Sequence, residues 1–209
     1  LDARRGLLDD FVVSLLRTGD SLFVGTAGGL SLVNLKTDSV FQIRPETFHQ
    51  RVIYDLERVE NTIWIASSAG AFRFTPDTDR LQQFQDPDLI LFSAVLNIEH
   101  YDGSVWLASD AGVVKLDLTT GKSESFREAG DWRDRRALAV NDRLVALADD
   151  NGLYMIVLEK KKTRTYRLNT DDGLASNTVL SLRFDGDYLW IGTDKGLTRF
   201  LWNDSRWTD

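Results

Sequence analysis

Cysteine is absent from this chain of 209 residues, so neither a disulfide bond nor a thiol nucleophile contributes to its fold or chemistry. Proline and methionine are scarce, with three and one. No apolar run approaches the ~20 residues that a membrane-spanning helix needs. The net charge of -7 argues against nucleic acid as a partner, because a nucleic-acid footprint needs a basic face. The sequence therefore predicts no direct membrane insertion and no nucleic-acid binding.

Aromatic residues are plentiful, with 11 Phe, 6 Trp and 5 Tyr, and such side chains favour strands because they pack well on a pleated surface. A repeat organises them. One glycine recurs at intervals of 41, 42, 40 and 44 residues, at Gly29, Gly70, Gly112, Gly152 and Gly196. Six residues before these glycines lie Phe23, Trp64, Trp106, Ala146 and Trp190. A fixed period of this length is typical of repeat architectures.

Each unit contains four strand-sized segments separated by turn residues. In the last unit they are 179–184, 188–192, 197–202 and 205–207. The spacers are too short for crossover helices, so the strands form antiparallel meanders. Such sheets bury both faces when they stack radially against one another. We therefore predict an all-β fold, a five-bladed β-propeller of four-stranded antiparallel blades in one domain, with units 1–43, 44–85, 86–127, 128–168 and 169–209.

The recurrent aromatic residue is expected between blades, and the recurrent glycine in a turn with positive φ, which strains other residues. Blade four departs from this pattern. Its first hairpin is two residues shorter, and Ala146 replaces the aromatic ring. A neighbouring ring must then occupy the space, and Trp132 is the candidate.

The fifth unit carries the pattern GL-x-S-N-x-V-x-x-L followed by Y-L-W-I-G-T-x-x-G-L-x-R-F, over residues 173–200. This resembles the two-component regulator propeller repeat. The resemblance covers the whole chain as repeats, closely in the fifth unit and loosely in the second and fourth. It implies a sensing or binding role in a periplasmic or otherwise extracytoplasmic region of a bacterial protein, and it brings no catalytic residues.

Members of that family usually contain more than five repeats, so two arrangements are open. Five blades close into a small ring, or they form an arc that another segment or another chain completes. Closure removes exposed faces and edges, and we expect it for that reason.

Catalytic and metal-binding patterns are missing. His49 and His100 fall at different places in their units, which predicts opposite rims and no shared metal. No glycine-rich phosphate loop is present, and no cofactor is predicted. Glycosidases built on propellers place paired carboxylates on the innermost strands. The comparable positions here contain one carboxylate among Ser14, Asp55, Asn97, Ala139 and Ser181. We therefore expect no enzyme.

Binding residues tend to lie on loops held by a rigid scaffold, and here the blade-connecting loops are long. The first residues of the innermost strands should circle one mouth of the central channel: Asp10, Arg51, Ser93, Arg135 and Asn177. One sector combines guanidinium groups with rings that could grip a carboxylate, a phosphate or a sugar. It comprises Phe48, Arg51, Trp132, Arg133, Arg135 and Arg136. Alternatively, these arginines pair with Glu128, Asp131 and Asp134.

The sequence thus favours a non-enzymatic module that binds a protein partner or a small anionic or sugar ligand through the loops on one face. Two alternatives stay open. One is a glycan-processing enzyme on the same scaffold, and the other is a structural module that joins subunits. The oligomeric state is not determined by the sequence.

Overall fold

The computed structural model describes residues 2–85, 91, 94–126, 137–149, 151–158 and 163–204. Almost all regular structure in these residues is β-strand, as predicted. Helix is limited to single turns at Ala3–Arg5, Pro45–Phe48 (α1), Pro76–Thr78 and Thr170–Asp172. No helix in this part of the chain combines the length and the apolar character needed to cross a bilayer.

The first three blades each contain four antiparallel strands in sequence order. Blade one consists of β1 (Val12–Thr18), β2 (Ser21–Thr26), β3 (Gly29–Asn34) and β4 (Val40–Ile43). Blade two consists of β5 (Ile53–Val59), β6 (Thr62–Ser67), β7 (Gly70–Thr75) and β8 (Arg80–Phe84). Blade three consists of β9 (Val95–Tyr101), β10 (Ser104–Ser109), β11 (Gly112–Asp117) and β12 (Ser123–Phe126).

Blade four keeps this topology with a shortened first strand. It consists of β13 (Leu138–Val140), β14 (Leu144–Asp149), β15 (Gly152–Val157) and β16 (Arg164–Leu168). Blade five contains three described strands, β17 (Val179–Asp185), β18 (Tyr188–Thr193) and β19 (Gly196–Leu201). The segment 205–207, predicted as its fourth strand, lies outside the described residues. The five predicted blades are confirmed.

The recurrent glycine begins the third strand of every blade, and its backbone has positive φ each time. The φ angles are 143°, 105°, 151°, 129° and 149° at Gly29, Gly70, Gly112, Gly152 and Gly196. At Gly152 a Cβ atom would lie 2.3 Å from the carbonyl oxygen of Leu168, so both conformation and space require glycine there.

The hydrophobic core lies in the joints between blades. Phe23 of blade one belongs to a cluster with Ile65, Phe72 and Phe74 of blade two. Trp64 of blade two packs in the same way against blade three, and Trp106 of blade three packs against blade four. The prediction that the recurrent ring fills the space between blades is therefore confirmed at these three joints.

At the joint between blades four and five, Ala146 is fully buried in a cluster with Trp202. Phe184 and Phe200 of blade five pack against the same cluster. Among the described residues, blade five therefore supplies the large rings that Ala146 lacks. Trp132, which the sequence suggested for this place, lies outside the described residues.

The described residues contain no core cluster that joins blade five to blade one. Leu15 of β1 and Leu197 of β19 are 61% and 64% exposed, so these two sheets do not cover each other. The expected closure into a ring is thus not found in the part of the chain that the structure describes, where the blades form an open row.

Candidate functional site

The polar residues of the innermost strands first serve to connect blades. The Ser14 hydroxyl donates a hydrogen bond to the carbonyl oxygen of Ile53, over 3.1 Å. One blade further on, the Asp55 carboxylate accepts from the backbone N–H of Ile98 at 2.9 Å and of Leu56 at 2.8 Å. Ser14 and Asp55 occupy equivalent positions, since they pair with Gly25 and Ala66. Each of these side chains therefore links its blade to the next one by a hydrogen bond.

The equivalent position in blade four is Ala137, because its backbone carbonyl accepts from the N–H of Ala148. Counting 42 residues from Asn97 had suggested Ala139. The shorter hairpin moves the register by two residues, so Ala139 instead pairs with Ala146. Because both residues are alanine, Asp55 remains the one carboxylate among these equivalent positions of the innermost strands.

Two further carboxylates lie two residues along the same strands. Glu57 pairs with Trp64 and Glu99 pairs with Trp106, so both occupy the same position in consecutive blades. Burial, followed by repulsion from Asp55, raises the pKa of Glu57 to about 7. Burial, followed by repulsion from Glu57 and Asp55, raises the pKa of Glu99 to about 7. Burial also raises the pKa of Asp55, although its two backbone hydrogen bonds oppose this.

Arg183 occupies this position in blade five, where it pairs with Trp190. Its positive charge acts on Glu99 and partly offsets the increase in the pKa of that carboxyl group. The inner wall of the row of blades is therefore acidic at blades two and three and basic at blade five.

A cavity of about 620 Å³ opens between Glu99 and Arg183. Tyr101, Phe184 and Trp202 contribute aromatic rings to its lining, and Asn141 and Asp142 contribute polar groups. A concave site with a few polar groups among rings is the usual form of a small-molecule site. Its opposite charges and its rings suit a polar ligand that has hydrogen-bonding groups along its length.

The cavity lies at the rim formed by the hairpins between the first and second strands, which contribute Tyr101, Asn141 and Gly186. The blade-connecting loops leave the opposite rim, since the chain runs up and down through each blade. The cavity is therefore on the face opposite to the one that the sequence suggested for binding.

The predicted loop sector is described only in part. Phe48 is fully buried in α1 and packs edge-on against Phe72, with the ring centroids 5.1 Å apart. Its ring is a core group, which corrects the expectation that it is exposed beside the arginines. Arg51 is exposed. The remaining members lie outside the described residues: Trp132, Arg133, Arg135 and Arg136.

Two of the residues predicted at the channel mouth accept hydrogen bonds from the backbone of their own loops. Asp10 accepts a hydrogen bond from the N–H of Ala3, at 2.6 Å, and Asn177 accepts from the N–H of Thr170, at 2.9 Å. Each bond spans seven residues and ends on a short helical turn, so the first and last units begin alike. Of the other three residues predicted at the channel mouth, Arg51 is exposed, whereas Ser93 and Arg135 lie outside the described residues.

Sequence reasoning missed Glu57, Glu99 and Arg183 as a group. They are spaced by 42 and 84 residues, and strand periodicity places Glu57 on the same side of its strand as Asp55. A comparison of the residues two positions further along each innermost strand would have identified them. The described residues contain no group of three or more His, Asp and Glu side chains arranged to hold a metal ion.

No protein-family model matches the chain, and no curated protein matches it significantly in sequence. Solved structures do share its fold. The extracellular domain of BT3049 of B. thetaiotaomicron, described as a hybrid two component system, superposes with a TM-score of 0.77 at 19% identity. The match covers 97% of this chain and 30% of that one.

The extracellular domain of BT4673 from the same organism, described as a one component system, gives a TM-score of 0.75 at 18% identity. That match covers 91% of this chain and 27% of the other. The WD40 β-propeller domain of Doa1 gives 0.65 at 16% identity, over 95% of this chain and 66% of that one. The predicted β-propeller architecture is confirmed, and the chain spans about three tenths of the two bacterial domains.

Proposed function

We propose that this chain is a non-enzymatic binding module of a bacterial sensor and that it works outside the cytoplasm. The structural similarity to extracellular domains of two B. thetaiotaomicron signalling systems supports this proposal. So does the resemblance of residues 173–200 to the two-component regulator propeller repeat. Sensor domains need a rigid scaffold with a ligand site, and stacked blades provide the scaffold.

The proposed ligand is a small sugar bound in the cavity between blades three, four and five. The observation that carries this is the meeting of Glu99, Arg183 and three aromatic rings around one space of about 620 Å³. Carboxylate and guanidinium groups form charge-assisted hydrogen bonds with hydroxyl groups, and partly exposed rings such as Tyr101 pack on the apolar faces of sugars.

Calorimetric titration with neutral and acidic oligosaccharides tests this proposal. Arg183→Ala and Glu99→Gln should each weaken binding of the sugar that wild type binds by at least about tenfold, which corresponds to about 1.4 kcal/mol. Arg80→Ala is the matched control, because Arg80 is an exposed arginine on the outer strand of blade two. Unchanged binding in both cavity variants would contradict the proposal.

The loop sector stays a separate proposal for a protein partner or an anionic ligand. The double variant Trp132→Ala, Arg135→Ala should abolish that binding while the melting temperature stays nearly unchanged. A double variant that binds as wild type does would remove this sector from consideration.

One observation favours a second candidate, a glycan-processing enzyme. A carboxyl group with a pKa near 7 suits a general acid, and Glu57 and Glu99 both have this property. Hydrolysis of a glycan panel that Glu99→Gln abolishes would establish the enzyme. An absence of hydrolysis together with sugar binding supports the non-enzymatic module.

A further inference from the structure

Each internal blade buries two faces. The forward face contacts the next blade and contains the recurrent ring, such as Trp64. The rear face contacts the preceding blade and contains aliphatic residues, such as Ile98, Val105 and Leu107. The forward face of blade five and the rear face of blade one have no neighbouring blade among the described residues.

The forward face of blade five repeats the internal pattern. The Arg199 guanidinium lies 5.9 Å above the ring of Trp190, as Arg73 lies 5.5 Å above Trp64. Trp64 is 1% exposed, whereas Trp190 is only partly buried and Leu197 beside it is largely exposed. This face therefore has the residues of an internal joint, but among the described residues no neighbouring blade covers it.

The rear face of blade one is also built as half of a joint. Leu15 pairs with Val24 as Ile98 pairs with Leu107. Ile98 is 4% exposed, yet Leu15, its equivalent, is largely open to solvent. Leu7 already packs against Val24 on this face.

The two end faces are complementary by the rule that the internal joints follow. At the joint between blades two and three, Trp64 lies in one buried cluster with Ile98, Val105 and Leu107. The equivalent residues on blade one are Leu15, Leu22 and Val24, and register fixes this equivalence. One chain thus carries both halves of an interface that it uses repeatedly within itself.

We propose that the forward face of blade five binds the rear face of blade one in a second copy of this chain. The contact is heterologous, with different surfaces on the two copies, so it either closes into a ring or continues as a row. Burial of the exposed apolar groups drives the association. The forward face of blade five contains Asp185 beside Arg183 and Arg199, and the rear face of blade one contains Arg17, so opposite charges are also available across the contact.

Sedimentation velocity over a wide range of protein concentrations tests the proposal. Wild type should shift from monomer to oligomer as its concentration rises. Leu15→Glu and Trp190→Glu should each remain monomeric, because each has lost one face. An equimolar mixture of the two variants should form a one-to-one dimer, because each supplies the face that the other lacks.

Leu118→Glu is the control, since Leu118 is exposed on blade three away from both end faces. It should assemble as wild type does. If a glutamate variant fails to fold, Leu15→Ser and Trp190→Ala take its place. Wild type that stays monomeric at all concentrations would overturn the proposal, and the end faces would then require blades from outside this chain. Assembly that persists in both variants, or a mixture without dimers, would overturn it as well.

Discussion

The joint between blades two and three and the joint between blades four and five fill the same space with different side chains. The first uses one large indole, Trp64, with the carboxylates of Asp55 and Glu57 on the same face. The second has Ala137 and Ala146 on the corresponding face. The repeat therefore preserves the shape of a joint while its chemistry varies. The carboxylates of Asp55 and Glu57 make the joint between blades two and three the polar joint.

The largest effect is expected at the indole of the polar joint. Trp64→Ala should lower the free energy of unfolding by about 3–5 kcal/mol, because it removes a buried aromatic side chain and leaves a cavity. Trp190→Ala at the open end of the row should cost much less, since its ring is only partly buried. Urea denaturation monitored by circular dichroism measures both, and equal losses would show that the end of the row is covered.

The alanine joint should resist the reverse change. Ala146→Trp should destabilise the protein by up to about 3 kcal/mol, because Ala146 is fully buried and blade five already fills the space. The same denaturation experiment applies. A stabilising effect would show that this joint is under-packed and that the comparison between the two joints is incorrect.

Removal of the Asp55 carboxylate, which links blades two and three, should lower the free energy of unfolding by an intermediate amount. Asp55→Ala leaves the N–H groups of Ile98 and Leu56 without their acceptor, which should cost about 2 kcal/mol. Ser14→Ala, at the equivalent position, should cost about 1 kcal/mol, because it removes one neutral hydrogen bond. A larger loss in Ser14→Ala than in Asp55→Ala would contradict the assigned roles.

A pH dependence is also expected from the inner-strand carboxyl groups of blades two and three. The pKa values of Glu57 and Glu99 rise from 4.5 in the unfolded chain to about 7 in the folded one. The folded state therefore binds more protons between these values, and stability should fall as pH rises from 4.5 to 7. Above that range this contribution should be constant.

Among the described residues, the charges that act on Glu99 are those of Glu57 and Asp55 on β5 and of Arg183 on β17. Glu99→Gln should reduce the loss of stability between pH 5 and pH 8, because it removes one of the coupled carboxyls. Denaturation midpoints at the two pH values measure this. A variant with the full wild-type pH dependence would show that Glu99 does not take part.

The fold could be predicted because the repeat is encoded in residues with strict local requirements. A glycine with positive φ and a ring six residues earlier recur in four of five units, and Ala146 alone breaks the ring pattern. The site could be predicted only in part. The charges of Glu57, Glu99 and Arg183 lie on three blades, and their meeting depends on how blades stack rather than on any local pattern.

The burial of Phe48 shows a similar limit. Its loop position suggested exposure, but the single helical turn at Pro45–Phe48 directs the ring into the joint with Phe72. Closure also depends on long-range geometry. A tendency of apolar faces to be covered does not determine whether the cover comes from the same chain.

In the described part of the chain, the blades form a row whose internal joints are closed and whose ends are open. The chain has no cysteine, so single-cysteine variants report on one position each. In dilute solution, Leu15→Cys should react with a thiol reagent nearly as fast as the unfolded chain, whereas Ile98→Cys, at the equivalent position of blade three, should be strongly protected. Equal protection at both positions in dilute monomer would contradict the account.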